Sequence, residues 1–501
     1  MVFLPNISII KVIDLIETKN LTKGSIPGQL IRLSLPIMGT SFVQMAYNLT
    51  DMIWLGKVGS DSVAAVGVAS FFTWFGVSIM LIARIGAEIG VSQSLGSNDR
   101  VKARKFAGNA VTLVILLSIA YGFLTYLLAP HLISFFNIEN RDVSGAATSY
   151  LRIISIGAIL YYSNPTFSGI FNGAGISKLP FRLNATGLIF NLVLDPILIF
   201  GIGPFQKMGS DGAGIATIIS QGIVILLFVI KFKKNNGLLE QKWIIGKPCW
   251  QYIRKIFSLG TPVAIHSILF ALFAMVLTRI IGKYGALPIA VQSIGAQIEA
   301  LSWMTAGGFS TALGVFTGQN FGAGNWNRIF KGFWITIAIS GTIGILVTFC
   351  FLFFGRTIFS VFLSEPDAIA LGIRYLKILG VSQFFMCIEI TTGGAFNGIG
   401  RTYPPSIVGI SLTAARIPLA LFLSQPFLLG MPGVWWSISI TSVLKGIVLF
   451  CWFIFLIRRH PGKKGIPLSP DILLSPLPIN LTQRIITNQK RELTTNQESN
   501  K

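Results

Sequence analysis

The chain has 501 residues, 52% of them hydrophobic and only 12% charged, with a mean hydropathy of +0.70. Soluble domains carry about 25% charged residues, so the composition excludes an ordinary soluble protein and indicates a chain dissolved mainly in lipid. The net charge of +22 sits in short connectors between apolar runs, which is the pattern of membrane topology and not of nucleic-acid binding.

In chain order, residues 1–27 show no compact apolar core followed by a small-residue cleavage site, so a cytoplasmic N-terminal segment is expected in place of a signal peptide. The apolar runs then predict twelve transmembrane helices. They fall at about 28–55, 62–92, 106–129, 147–172, 179–201, 212–232, 252–281, 288–318, 329–353, 371–397, 404–428 and 433–457. A ~30 Å hydrocarbon core takes about 20 residues per helix. Residues 233–251 read as an interlobe linker, and the polar stretch 459–501 as a disordered cytoplasmic tail. The domains expected are thus 1–27, a lobe at 28–232, the linker at 233–251, a lobe at 252–458 and the tail at 459–501.

Polar groups inside these runs are functional candidates, because charge is costly at membrane depth. The first helix carries Tyr47 and Asp51, four apart and therefore on one face. The fifth, "FNLVLDPILIF", repeats the spacing with Asn191 and Asp195, and Pro196 follows. Thr217 opens the sixth. Asp51 lies five residues before Gly56, Asp195 six before Gly201, and Thr217 five after Gly212. At 1.5 Å per residue each offset is about 8–9 Å from a helix end. All three should sit at one depth, in the outer half of the membrane. A lone polar residue there often makes only an interhelical hydrogen bond. Two carboxylates at one depth cost free energy unless a proton or cation joins them. The expected site for a proton, or for sodium, is Asp51, Asn191, Asp195 and Thr217, with Tyr47 beside them.

Later helices carry Glu299 and Glu389, candidate cation or substrate contacts. Arg84 and Glu88, spaced i and i+4, read as a mutually neutralising pair. His266 stands alone on an apolar helix, and Arg416 reads as a packing or gating residue. Cys249, Cys350, Cys387 and Cys451 form no metal-ligand spacing. No phosphate loop and no GxSxG elbow is present, so neither direct use of ATP nor an enzyme is expected.

The two halves repeat. At an offset of 226, Leu33, Pro36, Gly56, Gln93 and Gly96 recur as Leu259, Pro262, Gly282, Gln319 and Gly322. At an offset of 225, "FNGAG" at 171 recurs as "FNGIG" at 396. Six helices per half make the repeat parallel, with its axis along the membrane normal. The second half does not repeat the carboxylates: Asp51 corresponds to Leu277 and Asp195 to Ala420. Alternate connectors hold most of the Lys and Arg, while the opposite set holds only Lys57, Arg141, Lys207, Lys283 and Arg356. This asymmetry predicts that both termini are cytoplasmic.

The stretches "LPIMGTSFVQMAYNLTDMIWLGKVG", "IEALSWMTAGGFSTALGVFTGQNFGAG", "FNLVLDPILIFGIG" and "FNGIGRTYPPSIVGISLTAARIP" resemble the multidrug and toxic compound extrusion (MATE) family. The resemblance covers roughly residues 25–460 and lies nearest the DinF-like and archaeal-type branch of the multidrug/oligosaccharidyl-lipid/polysaccharide exporter superfamily. It implies an all-α integral membrane protein of two six-helix lobes around a central cavity. It also implies a monomeric antiporter of the cell membrane, without prosthetic cofactor, that exports small amphipathic or cationic molecules against protons or sodium. Asp51, Asn191 and Asp195 match that branch's cation or proton site, and Pro36 matches a proline at which its first helix bends. Pro196 offers a second bending point, since it leaves the carbonyl one turn earlier without its helical partner. The competing expectation is a flippase for a lipid-linked saccharide, which would want a cationic cavity.

Overall fold

The computed structural model describes residues 19–234 and 248–458. Residues 1–18, most of the 233–251 linker and the 459–501 tail lie outside the described residues. All regular structure among the described residues is helical. The first half holds α1 (Ile26–Val58), α2 (Ser60–Gly96), α3 (Arg100–Ser134), α4 (Arg141–Ile156), α5 (Ala158–Gly173), α6 (Lys178–Phe200) and α7 (Ser210–Lys234). The second holds α8 (Trp250–Gly282), α9 (Ala286–Gly322), α10 (Trp326–Phe353), α11 (Gly355–Ser360), α12 (Pro366–Gly398), α13 (Tyr403–Leu423) and α14 (Pro432–Arg458).

Among the described residues nine helices are long and apolar enough to cross a membrane, and α4 with α5 would make a tenth. Of the remaining long helices, α1 and α9 have 33 and 37 residues but are less apolar.

Three local features differ from the sequence reading. The segment 147–172, expected as one helix, lies in two helices that meet at Gly157 with a bend of 57°. Gly157 has φ −82° and ψ 8°, and both Leu160 and Tyr161 direct their N–H groups at its carbonyl. The hydrogen-bond ladder restarts there. A side chain at 157 would collide with Ile218 of α7, so glycine is what lets α7 pack into the bend. The second difference is α13, which stops at Leu423 and not near 428. Pro426 cannot donate to a continuing ladder, and Gly430, at φ 60°, completes the turn. The third is the short α11, which lies in what the sequence reading left as the connector after residue 353. Helices α1 and α6 run unbroken through Pro36 and Pro196.

Four buried apolar clusters hold the helices together. Two are built mainly from α2–α7 and two mainly from α8–α14. The long helices α1 and α8 take part in both sets. The early residues Leu30, Leu33 and Ile37 of α1 pack with Phe316, Phe333 and Phe396 from the second half. Late in the same helix, Leu55 packs with Ala65 and Ile199 of the first half. On α8, Ile256 packs with Phe106 of the first half, while Leu277 and Ile280 pack with Trp435 of the second.

The connector 201–209 fixes where α7 begins. Gly201 ends α6 in the left-handed region at φ 77°. Met208 and Gly209 then donate their N–H groups to the carbonyls of Leu198 and Ile199 at 3.2 and 3.1 Å. The chain folds back onto the last turn of α6, and α7 starts beside it. Gly212 lies against the Leu198 carbonyl, where a Cβ would clash. This close start sets α7 at the height of Asp195.

Candidate functional site

On α1, Tyr47 and Asp51 fall on the buried face, 6% and 8% exposed. On α6, Asn191 and Asp195 are fully buried. Thr217 of α7 completes the group. The spacing argument from helix ends thus identifies side chains that meet in space. Thr217 Oγ1 donates to Asp51 Oδ2 at 3.3 Å, and Asn191 Nδ2 donates to Asp195 Oδ1 at 2.9 Å. The carboxyl groups of Asp51 and Asp195 are close enough to interact electrostatically. Gly187, one turn before Asn191, makes room for the Tyr47 hydroxyl.

Four buried oxygens here have no hydrogen-bond partner among the described residues: Tyr47 Oη, Asp51 Oδ1, Asn191 Oδ1 and Asp195 Oδ2. A buried acceptor left unpaired costs about 1–3 kcal/mol, and more when charged. Four at one locus indicate that something electropositive belongs between them. The donor set comprises two carboxylates, an amide oxygen, a threonine hydroxyl and a phenol. All are hard oxygens, which suit a proton or an alkali cation and not a transition metal. No group of three or more His, Cys, Asp or Glu side chains converges among the described residues.

The locus borders a cavity of about 370 Å³. Asp51, Thr217 and Tyr47 form one side, with Gln44, Trp74, Tyr161 and Gln221 among the other lining groups. Among the described residues no lysine or arginine lines it. Beside these side chains lies a buried amide network that the sequence reading missed. Asn164 Nδ2 donates to Asn184 Oδ1 at 2.8 Å and to Gln221 Oε1 at 2.7 Å, and Ser168 donates to Asn164 Oδ1 at 3.3 Å. A signal was present: Gln221 lies four residues after Thr217, and Asn184 seven before Asn191, each on the same helix face.

Glu299 and Glu389 do not join this locus. Glu299 Oε1 accepts from the Tyr375 hydroxyl at 2.6 Å. Glu389 pairs with Lys445 at 3.0 Å, a partner the sequence reading did not single out although it is a lone lysine in an apolar run. Nearby, Arg416 donates to Thr441 and Ser442 at 2.8 and 2.9 Å. At the 225-residue offset Arg416 stands where the first half has Asn191. The second half thus holds a fixed cation at that level, where the first half holds two acids. Arg84 and Glu88 interact through their charges, while Arg84 Nε and Glu88 Oε2 are buried without a hydrogen-bond partner among the described residues.

Comparison with known proteins finds the MatE family model matching the chain twice, over residues 36–197 and 262–422. The starts of the two matches are 226 residues apart and the ends 225, the offsets of the internal repeat. The chain is 30% identical over 437 residues to the "Probable multidrug resistance protein NorM" of Thermotoga maritima, covering 85% of this chain and 92% of that one. It is 26% identical to the "Probable multidrug resistance protein YpnP" of Bacillus subtilis, covering 86% and 96%. Its fold matches the crystal structure of "MATE in the bent conformation" with a TM-score of 0.82 and 25% identity, over 90% of this chain and 99% of that one.

Proposed function

Because this chain belongs to the MATE family, we propose that it is a secondary active exporter of small amphipathic or cationic organic molecules, driven by protons or sodium taken up at Asp51 and Asp195. The observation that carries this reading is the set of four unpartnered buried oxygens on Tyr47, Asp51, Asn191 and Asp195, of which Tyr47 and Asp51 line a 370 Å³ cavity. The relatives' names speak of multidrug resistance, and an aromatic cavity with an acidic wall suits such molecules.

The cavity lining also bears on the competing flippase. A lipid-linked pyrophosphate needs cationic ligands, and among the described residues no lysine or arginine lines this cavity.

In this reading the bundle has twelve crossings, in lobes 28–232 and 252–458, with the basic connectors and both termini in the cytoplasm. Helix α1 fails as an apolar span because its middle supplies Gln44, Asn48 and Asp51 to the cavity and not to lipid. One chain supplies the whole cavity, so transport needs no second copy. A proton or sodium ion draws the carboxyl-bearing faces of α1 and α6 together. The cavity between α1, α2 and α7 then contracts, and bound substrate leaves. The ion can drive this only by its differential affinity for the two arrangements. The helices can yield where Pro36 and Pro196 have removed a ladder bond.

The test is flux of a fluorescent organic cation in proteoliposomes, with a proton gradient and a sodium gradient imposed separately. Export with one gradient supports the reading. Equal flux with neither gradient refutes coupled export.

A further inference from the structure

The basic end of the bundle carries a reciprocal arrangement that the ion site does not use. Gln93 on α2 and Gln319 on α9 are equivalent at the 226-residue offset. Gln93 Nε2 donates to the carbonyl of Gly398, the last residue of α12, at 2.9 Å. Gln319 Nε2 donates to the carbonyl of Gly173, the last residue of α5, at 3.4 Å. Gly173 and Gly398 are themselves equivalent at the 225-residue offset. Each glutamine therefore reaches from its own half to a helix C-terminus of the other.

Between these two bonds α2 and α9 cross at backbone contact. A Cβ built on Gly96 would fall on the Gln319 carbonyl oxygen, and one built on Gly322 on the Gln93 carbonyl oxygen. A Cβ built on Gly318 would lie 3.0 Å from the Cβ of Ser92, so these positions also meet in the seam. Farther along the same helices, a Cβ built on Gly67 or Gly307 meets nothing within 4 Å. The backbone contact between the two helices thus lies at the basic end, at Gly96 and Gly322.

A strap covers one side of the crossing. The Leu21 N–H donates to Gln319 Oε1 at 2.9 Å, and the Leu21 carbonyl accepts from Arg328 and from Asn320, each at 3.2 Å. Leu21 is 1% exposed. Nothing equivalent holds Gln93 among the described residues.

We propose that Gln93 and Gln319 form a two-fold clasp that keeps the basic end shut while the cavity faces the other side, with the segment 20–24 fastening one half of it. This rests on the exporter reading and on the basic end being cytoplasmic. The chemistry suits a reversible closure. The acceptors are carbonyls at the ends of helices, which have no intrahelical partner. The donors are neutral amides, so opening strands no charge and water replaces each bond. Such an exchange is nearly balanced, and glycines let the backbones meet and part without side chains to repack.

The test replaces Cys249, Cys350, Cys387 and Cys451 by alanine or serine and introduces Ser92→Cys, a position 1% exposed in the seam. A water-soluble maleimide measures its exposure at the basic side. Adding Gln93→Ala and Gln319→Ala should raise the labelling rate about tenfold, as expected for two lost hydrogen bonds. An unchanged rate overturns the clasp. As a second arm, Ser92→Cys with Gly318→Cys in the same background should form a disulfide under oxidation that stops flux, and reductant should restore it. Normal flux from the oxidised form overturns the proposal. The labelling arm needs no transport, so a chain that never exports but shows the tenfold change sinks the exporter reading and leaves the clasp standing.

Discussion

Asp195→Asn separates stability from coupling. In the wild-type structure Asp195 Oδ1 accepts from Asn191, while Oδ2 has no partner. Asparagine keeps the first oxygen and turns the second into an amide donor. Across from it, Asp51 Oδ1 is also unpartnered and buried. Two orphaned acceptors become one hydrogen bond to a charged group, a gain of about 1–3 kcal/mol. In the absence of sodium and of a proton gradient, the variant should therefore resist thermal unfolding in detergent better than the wild type. In proteoliposomes it should lose at least about tenfold in gradient-driven export, because one of the two carboxylates proposed to take up the ion is gone. The control is Leu277→Asn at the equivalent place in the second half. Leu277 is 4% exposed and packs with Ile280 and Trp435. An amide there should cost about 2–4 kcal/mol in stability and leave the response to an imposed gradient intact. The reasoning fails if Asp195→Asn exports at the normal rate and answers the gradient. It fails equally if the variant unfolds much more readily than the wild type, since the carboxylate would then be serving the fold.

Other outcomes rest on the same geometry. Single cysteines at Lys102 and Lys207 should react with impermeant reagents from opposite sides of the membrane, and reaction from one side only refutes the twelve-crossing topology. Arg416→Ala should lower stability by about 3–5 kcal/mol, because it frees two buried hydroxyls and leaves the acids around it short of a cation. Arg416→Lys should recover only part of that, since one ammonium cannot reproduce the fork that reaches both Thr441 and Ser442. Gly409→Ala puts a methyl group on the His266 ring and should cost about 1–3 kcal/mol. His266→Ala in the same chain should return most of it, and a double-mutant cycle of denaturation midpoints reads the coupling.

The cluster around Asp51 and Asp195 was legible because helical geometry is local. A rise of 1.5 Å per residue and a four-residue face repeat bring Tyr47 beside Asp51 and Asn191 beside Asp195 before any packing is known. Distances from the helix-ending glycines then put α1, α6 and α7 at one height. Lys445 and the Asn164–Asn184–Gln221 network were not found this way. Lys445 is the lone charged residue of its run, Asn184 and Gln221 only share faces with the residues already singled out, and only the neighbouring helix shows whether each meets a carboxylate, an amide or nothing. The bend at Gly157 escaped for a similar reason. Glycine in an apolar run is compatible with a straight helix, and Ile218 of α7 is what occupies the space a side chain would need.

By itself, then, the sequence determined the membrane-embedded class, the repeat at offsets of 226 and 225, and the residues at the level of Asp51. These depend on composition and on periods of a single chain. Only the tertiary structure decided which lone polar groups pair. It joined Glu389 to Lys445 and set Gln93 and Gln319 across from each other's half. It also carried the first turns of α1 and α8 into the opposite half's core. Such pairings are set by how helices far apart in sequence cross, and the crossing depends on side-chain volumes and glycine gaps on both partners at once. No single run of residues contains that information.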